Sequence, residues 1–327
     1  MSWYDELENI EHLDLSDEYI DDDTLEVLYN HPTLQSLDVS GRSIGDRGIA
    51  VIATIPNLEC LNIEATHVTD QGLSALMQSS FLSTIWMART NISNNGLYTL
   101  GNMKSLNVLG LENTNITDEG LQGLQGNKFY RLFLDGTKVY GRGLRYISSV
   151  SMRELRLSCI EASIAIDEIS RFSKLKTIWL KDSEIKNINN QSWSNLGSVD
   201  TLYLQNIQAD YHFWESLYIL PKLTRLCITG GSISDEDLLV IGKMNGLRSI
   251  WLRNTNITSS GLKYIVGLQN LRNLDLTSTL VNDDSLTLID QLSGLESISI
   301  NGTLVSDDGM TWIYRRIDER NNLRLRG

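Results

Sequence analysis

The sequence predicts an α/β solenoid, with a parallel β-sheet on a concave face and short helices on a convex face. Three observations predict it. A pattern L-x-x-L-x-L-x-x-T-x-I-x-D-x-G-L-x-x-L recurs thirteen times along the 327 residues, at a spacing of 24, with three units of 23. Each unit contains a short in-out alternation, as in Leu109-Gly110-Leu111. Each also carries apolar residues at helical spacing, as in Leu121 and Leu124. One such unit cannot bury its own apolar side, so stacked units share a continuous core.

The elements follow in order. Residues 1–9 read as an N-terminal cap, with Trp3 over the first repeat. About thirteen repeats fill 10–313, beginning at Ile10, Leu34, Leu58, Leu82, Leu106, Phe129, Met152, Leu175, Val199, Leu223, Leu247, Leu271 and Leu295. Residues 314–327 form a C-terminal cap whose last residues, from Leu323, read as a closing strand. With three prolines and no Ser/Gly-rich linker, residues 1–327 make one domain. In the clearest unit, Leu109 and Leu111 point inward from the strand and Gly110 outward. Asp118 offers a helix N-cap. The ninth-position threonines (Thr66, Thr90, Thr114, Thr137, Thr255, Thr279, Thr303) read as buried hydroxyls bonded to backbone that turns inward. The recurring glycines, such as Gly72 and Gly120, read as turn residues. Trp193, Trp214 and Trp312 read as packing.

The I-[TS]-D-x-G-L run within this pattern resembles the leucine-rich repeat family, in the subtype seen in bacterial repeat proteins and F-box-type adaptors. The resemblance covers residues 10 to about 313. It implies a horseshoe that binds along its concave surface, and it leaves the function open, because one fold hosts many.

Composition narrows the function. The net charge is −13, and eleven of the 41 acids lie in residues 1–33, which hold no Lys or Arg; the rest is nearly neutral, with 30 acids against 28 bases. An acidic chain does not seek phosphate backbones, so nucleic acid is excluded as a partner. No stretch reaches the ~18 apolar residues of a membrane span. The first residues lack a basic segment followed by an apolar run, and three scattered cysteines form no pair, which together point to the cytoplasm. The four histidines have no metal-ligand spacing, and no phosphate loop or nucleophile elbow occurs. The expectation is therefore a non-enzyme without cofactor or metal.

Candidate binding residues come from the outward strand position, fifth in each unit. Down the stack it reads Asp14, Asp38, Asn62, Trp86, Gly110, Phe133, Arg156, Trp179, Tyr203, Cys227, Trp251, Asp275 and Ser299. The aromatic members are Trp86, Phe133, Trp179, Tyr203 and Trp251. With strands ~4.8 Å apart, Arg156 sits where it can stack on rings of the flanking units. Gly110 reads as a gap beside Trp86, open to a partner side chain. The flanking columns supply Arg131, Arg225, Glu112, Asp135, Lys181 and Arg253, with every base from Arg131 onward. Aromatic side chains also favour strands for their own sake. Yet five rings of ~150–250 Å² each exceed the apolar patch a monomer usually exposes. The reading is a module that captures a protein partner on this face, such as an immunity protein inhibiting a cognate toxin. An adaptor or scaffold subunit, and an effector acting in another cell, are the alternatives.

Overall fold

The structure is a computed structural model that describes residues 7, 9–186, 188 and 193–324. Trp3 and the last three residues of the expected closing strand lie outside the described residues. The chain forms two compact units, Met1–Cys159 and Ile160–Gly327, taken here in turn.

The first unit holds seven strands: β1 (His12–Asp14), β2 (Ser36–Asp38), β3 (Cys60–Asn62), β4 (Thr84–Trp86), β5 (Val108–Gly110), β6 (Arg131–Phe133) and β7 (Glu154–Ser158). Each pairs parallel with the next, and equivalent repeat positions face each other: Leu37 lies opposite Leu13 and Leu61, and Leu109 opposite Ile85 and Leu132. Both inward leucines of the clearest unit, Leu109 and Leu111, are fully buried. Full burial of such a side chain contributes about 1.5–3 kcal/mol. The segments between strands carry short helices or tight helical turns, at Asp46–Ile52, Asp70–Leu73, Asn94–Leu100 and Gly120–Leu124. Their apolar residues Ile49, Leu73, Leu97 and Leu121 are buried. This is the expected α/β solenoid.

The ninth-position threonines behave as expected. Thr66, Thr90 and Thr114 are buried, and each hydroxyl donates to the carbonyl three residues before it, at 2.6–2.7 Å. The residue just before each of these threonines is left-handed: Ala65, Arg89 and Asn113 have φ of 52°, 54° and 55°. Gly41 and Gly136 hold the same place with φ of 69° and 70°. A left-handed residue turns the chain sharply, and Asn and Gly tolerate it best. Their recurrence at position eight is therefore a backbone requirement.

The Asp of the repeat works differently from the sequence expectation. It does not cap its own helix; at Asp70 and at the equivalent Asn94 the residue before it does. Thr69 accepts from Gln71 N at 3.2 Å and Ser93 from Asn95 N at 3.4 Å. The carboxylate instead reaches the following repeat. Asp46 accepts from Thr69 N at 2.8 Å and from the Thr69 hydroxyl at 2.7 Å. Asp70 does the same with Ser93, at 2.8 and 2.5 Å, and Asn94 accepts from Thr117 N at 3.0 Å. Asp118, the expected cap, accepts from Tyr140 N and Gly143 N of the next repeat, at 3.0 and 2.6 Å. The recurring glycines are not turn residues either: Gly72 and Gly96 sit inside helices without a positive φ. A Cβ on Gly96 would stand 2.5 Å from Asp70 Oδ1, and one on Gly72 would overlap the Asp46 carboxylate. The D-x-G spacing is thus a clamp: each Asp needs the next repeat's Gly to make room for it.

The second unit repeats the scheme with β8 (Thr177–Lys181), β10 (Thr201–Gln205), β12 (Arg225–Thr229), β13 (Ser249–Arg253), β14 (Asn273–Asp275) and β15 (Ser297–Ser299), paired parallel in that order. A minor pair, β9 (Glu184–Ile185) and β11 (Gln208–Ala209), runs beside it. Trp193 and Trp214 are fully buried here, as expected for packing. Trp312 is 40 % exposed, which corrects that expectation for the third tryptophan. The chain's last described element is an 18-residue helix, Asp307–Arg324, where the sequence reading had a closing strand from Leu323. Ile313 and Ile317, four residues apart, bury one side of it, and Arg316 and Arg320 bond the Asp290 carboxylate. No Pro or Gly follows Gly309 before Arg324, so nothing stops the helix.

Candidate binding face

Each unit presents the fifth-position residues as one column in register. In the first unit Asn62, Trp86, Gly110, Phe133 and Arg156 stand opposite one another on successive strands. Trp86 and Arg156 are half-buried, whereas Phe133 is 3 % exposed. The reason lies in the stacking. The Trp86 ring leans across Gly110 and lies on Phe133, with centroids 5.1 Å apart and planes at 17°. The Arg156 guanidinium covers Phe133 from the other side, 4.2 Å from its centroid. Gly110 therefore leaves no gap beside Trp86. A Cβ there would stand 2.5 Å from Trp86 Cε3, so the glycine is what lets the tryptophan lie down. Phe133 is a platform for Trp86 and Arg156, and those two residues form the accessible surface.

Charge surrounds this stack. Arg156 bonds Glu154 at 2.9 Å, and Arg131 pairs with the same carboxylate at 3.5 Å. Glu112 sits beside Gly110 with its Oε2 buried and without a hydrogen-bond donor. Burial raises its carboxyl above the ordinary glutamate range, and the negative charges of Glu64 and Asp135 add to the effect. The sign for stability follows. Between the ordinary and the raised value the folded state holds a proton that the unfolded chain has lost, so stability falls as pH rises through that window. Replacing Glu112 with Gln is expected to stabilise the protein at pH 7 and to change little at pH 4. Urea unfolding of both proteins at the two pH values checks it; an equal effect at both would refute the ionic cause.

In the second unit the column reads Trp179, Tyr203, Cys227, Trp251, Asp275 and Ser299, again in register. Trp179 and Tyr203 stack face to face, with centroids 3.5 Å apart and planes at 9°. Tyr203 meets Trp251 edge-on at 6.1 Å and 69°, above the buried Cys227. All three rings are half-buried. Burial pushes the Cys227 thiol up to about 12, against the pull of Arg225 and Arg253, so it is no nucleophile at neutral pH.

The flanking bases are held by acids. Arg253 lies over Trp251 at 4.3 Å, donates from Nε to Asp275 at 2.7 Å, and holds Nη2 in ion-pair contact with the same oxygen at 2.6 Å. Burial acts to raise the Asp275 carboxyl, but the bonds from Arg253 and Thr277 outweigh it and hold it below the ordinary range. Arg225 donates to the Thr201 hydroxyl at 2.9 Å and stands 3.6 Å from Asp200. Lys181 lies 3.8 Å from Asp182. Asp200 was not singled out in the sequence because it lies at the second position of its repeat, and Thr201 because it is an uncharged member of the column that holds Arg225. Among the described residues, no group of three or more His, Cys, Asp or Glu side chains could hold a metal, and no helix is long and apolar enough to cross a membrane.

Comparison with known proteins agrees with the fold. Residues 30–53 and 54–77 match the Leucine Rich repeat family. An internalin, InlF, from Listeria monocytogenes str. 4b F2365 is similar in structure, at 22 % identity over 90 % of this chain and 88 % of its own, with a TM-score of 0.62. The Leptospira interrogans LRR protein LIC12759 is similar at 15 % identity over 96 % of each chain, with a TM-score of 0.57. TLR13, solved in complex with ssRNA13, is similar at 17 % identity over 92 % of this chain and 45 % of its own, with a TM-score of 0.56. No curated protein sequence matches the chain.

Proposed function

We propose that this protein is a non-enzymatic, cytoplasmic leucine-rich repeat module of the I-[TS]-D-x-G-L subtype that captures a protein partner on the outer face of its strands. The observation that carries the reading is the row Trp179, Tyr203 and Trp251, stacked, half-exposed and flanked by Arg253. Stacked rings are pre-ordered, so a partner that seats on them loses little side-chain entropy at the interface. Trp, Tyr and Arg are also the residues that most often dominate binding energy. The Trp86 and Arg156 pair of the first unit offers a second anchor of the same kind. The three cysteines are free, with Cys159 exposed, which suits a reducing compartment. The ssRNA of the TLR13 complex is not carried over, since a net charge of −13 repels phosphate backbones. We take the role to be that of an inhibitor neutralising a toxin, because the acids of residues 1–33 would steer a basic target toward the module.

The test compares wild type with Trp179→Ala/Trp251→Ala and, separately, with Trp86→Ala, as bait in native lysate. The double variant is expected to lose its partner at least 30-fold, the effect of about 2 kcal/mol at a binding hot spot. Circular dichroism should show it still folded. Equal retention would mean that the rings only pack on one another. Co-expression of the captured protein then tests inhibition: relief of growth arrest by wild type but not by the double variant is the expected result.

A further inference from the structure

Beside Trp251 the outer face of the second unit sinks into a depression of about 380 Å³. It is lined by Arg225, Arg253 and Trp251, with Ser249, Ser297, Ser299 and Asp275. The two arginines come from neighbouring strands, β12 and β13, and both act on the Cys227 thiol in the strand face between them. Two guanidinium groups and one carboxylate line the depression, and the second acid, Asp200, stands outside the lining, 3.6 Å from Arg225.

We infer that this depression binds a carboxylate from an acidic segment of the protein partner, an inference that rests on the partner seating on this face. The donor geometry supports it. Arg253 donates its Nε hydrogen to Asp275, keeps Nη2 in ion-pair contact with the same oxygen, and lies over Trp251, so its position is fixed before anything binds. Of its five N–H donors, four are left over from that one hydrogen bond. Arg225 gives its Nε to Thr201 and stands at ion-pair rather than hydrogen-bond distance from Asp200, with its side chain 56 % exposed. A forked carboxylate entering between the two guanidinium groups accepts from both, the arrangement in which charge-assisted bonds are strongest. The thiol beneath, held neutral, does not compete for the arginines.

The same donors would accept a phosphate monoester, so the probes separate the two sources. Capped tetraglutamate, tetraglutamine and tetraphosphoserine peptides are titrated into the full chain at fixed ionic strength. Binding is followed by the Nε–Hε resonances of the arginines and by tryptophan fluorescence. The expected result is that tetraglutamate shifts the Arg225 and Arg253 signals, that tetraglutamine does not, and that Arg225→Gln and Arg253→Gln each weaken binding about tenfold. Arg225→Lys, which keeps the charge but not the fork, should restore only part of it. Equal binding of tetraglutamine, or unchanged binding by both Gln variants, overturns the assignment. So does binding of tetraphosphoserine alone. These peptides need no identified partner. If tetraglutamate binds while no variant of the bait captures anything, the capture reading fails and the site stands. If the bait captures through its rings and tetraglutamate is ignored, the reverse holds.

Discussion

Trp193→Ala should cost about 3–5 kcal/mol, the range for removing a large aromatic side chain from a close-packed core. Trp193 has no exposed surface, meets Phe213 edge-on at 6.3 Å, and donates its indole N–H to the Ser216 hydroxyl at 2.8 Å. That hydroxyl passes its own hydrogen to the Phe213 carbonyl at 2.6 Å. The ring therefore fills space and completes a chain of polar contacts between two consecutive repeats. Trp193→Phe separates the two contributions. It keeps most of the volume and should cost about 1–2 kcal/mol, chiefly for the lost bond. Because repeats unfold neighbour by neighbour, amide exchange is a better readout than a single melting temperature. Loss of protection should centre on Trp193 and Ser216 and spare the first unit. The contrast with Trp179 and Trp251 is instructive: those side chains are half-exposed, and their replacement should change binding far more than stability.

Gly101→Ala is the second large expected effect, about 3 kcal/mol, although it adds only one methyl group. Gly101 follows the helix Asn94–Leu100, and a Cβ on it would overlap the Gly123 carbonyl oxygen, with the carbonyl carbon 2.9 Å away. Gly123 makes the reciprocal approach: its Cβ would stand 2.7 Å from Tyr98 N and 2.8 Å from Leu97 C. Two consecutive repeats thus touch backbone to backbone, and backbone cannot swing aside as a side chain can. Gly197→Ala is the control, since nothing lies within 4 Å of a Cβ there and its φ is not positive. It should be neutral or slightly stabilising, because alanine restricts the unfolded chain more than glycine does. Chemical unfolding of both variants decides it; a Gly101→Ala protein as stable as wild type would mean that the repeats separate freely at this point.

The repeat register, the parallel pairing and the outward columns were legible in the sequence, because a period of 24 leaves few ways to stack leucines such as Leu37, Leu61 and Leu109. The ninth-position threonines were legible for the same reason: a small hydroxyl recurring beside buried leucines needs an acceptor. Other features depend on three-dimensional reach. The Asp in D-x-G reads as a cap if only its own repeat is considered. Its partner is one turn of the solenoid away, and the hint lay in the Thr or Ser that often precedes this position and the Gly that often follows it, as at Thr69-Asp70-Gln71-Gly72. The left-handed eighth position was signalled by Gly41, Asn113, Gly136 and Asn254, but it is masked elsewhere by Ala65 and Arg89. On the candidate face, the column placed Trp86, Gly110 and Phe133 in order, yet a side chain's rotamer is not written in its spacing. Trp86 lies across the glycine, and what read as an opening became a lid over Phe133. The helix beyond Asp307 was within reach of the sequence through Ile313 and Ile317, whose spacing of four is helical rather than extended.

The clamp formed by Asp46 and Asp70 with the next repeat makes those two joints of the first unit interchangeable. Asp46 grips the N–H and hydroxyl of Thr69, and Asp70 grips the same two groups of Ser93. Excising residues 58–81 would bring Ser93 to the place of Thr69 and Gly96 to the place of Gly72, and the seam would close on familiar chemistry. Such a chain can gain or lose whole modules, by duplication or deletion, without inventing a new joint. Each step would lengthen or shorten the strand face by ~4.8 Å. The length of that face would then follow genetic copying, while point substitutions along one column adjust the chemistry it presents.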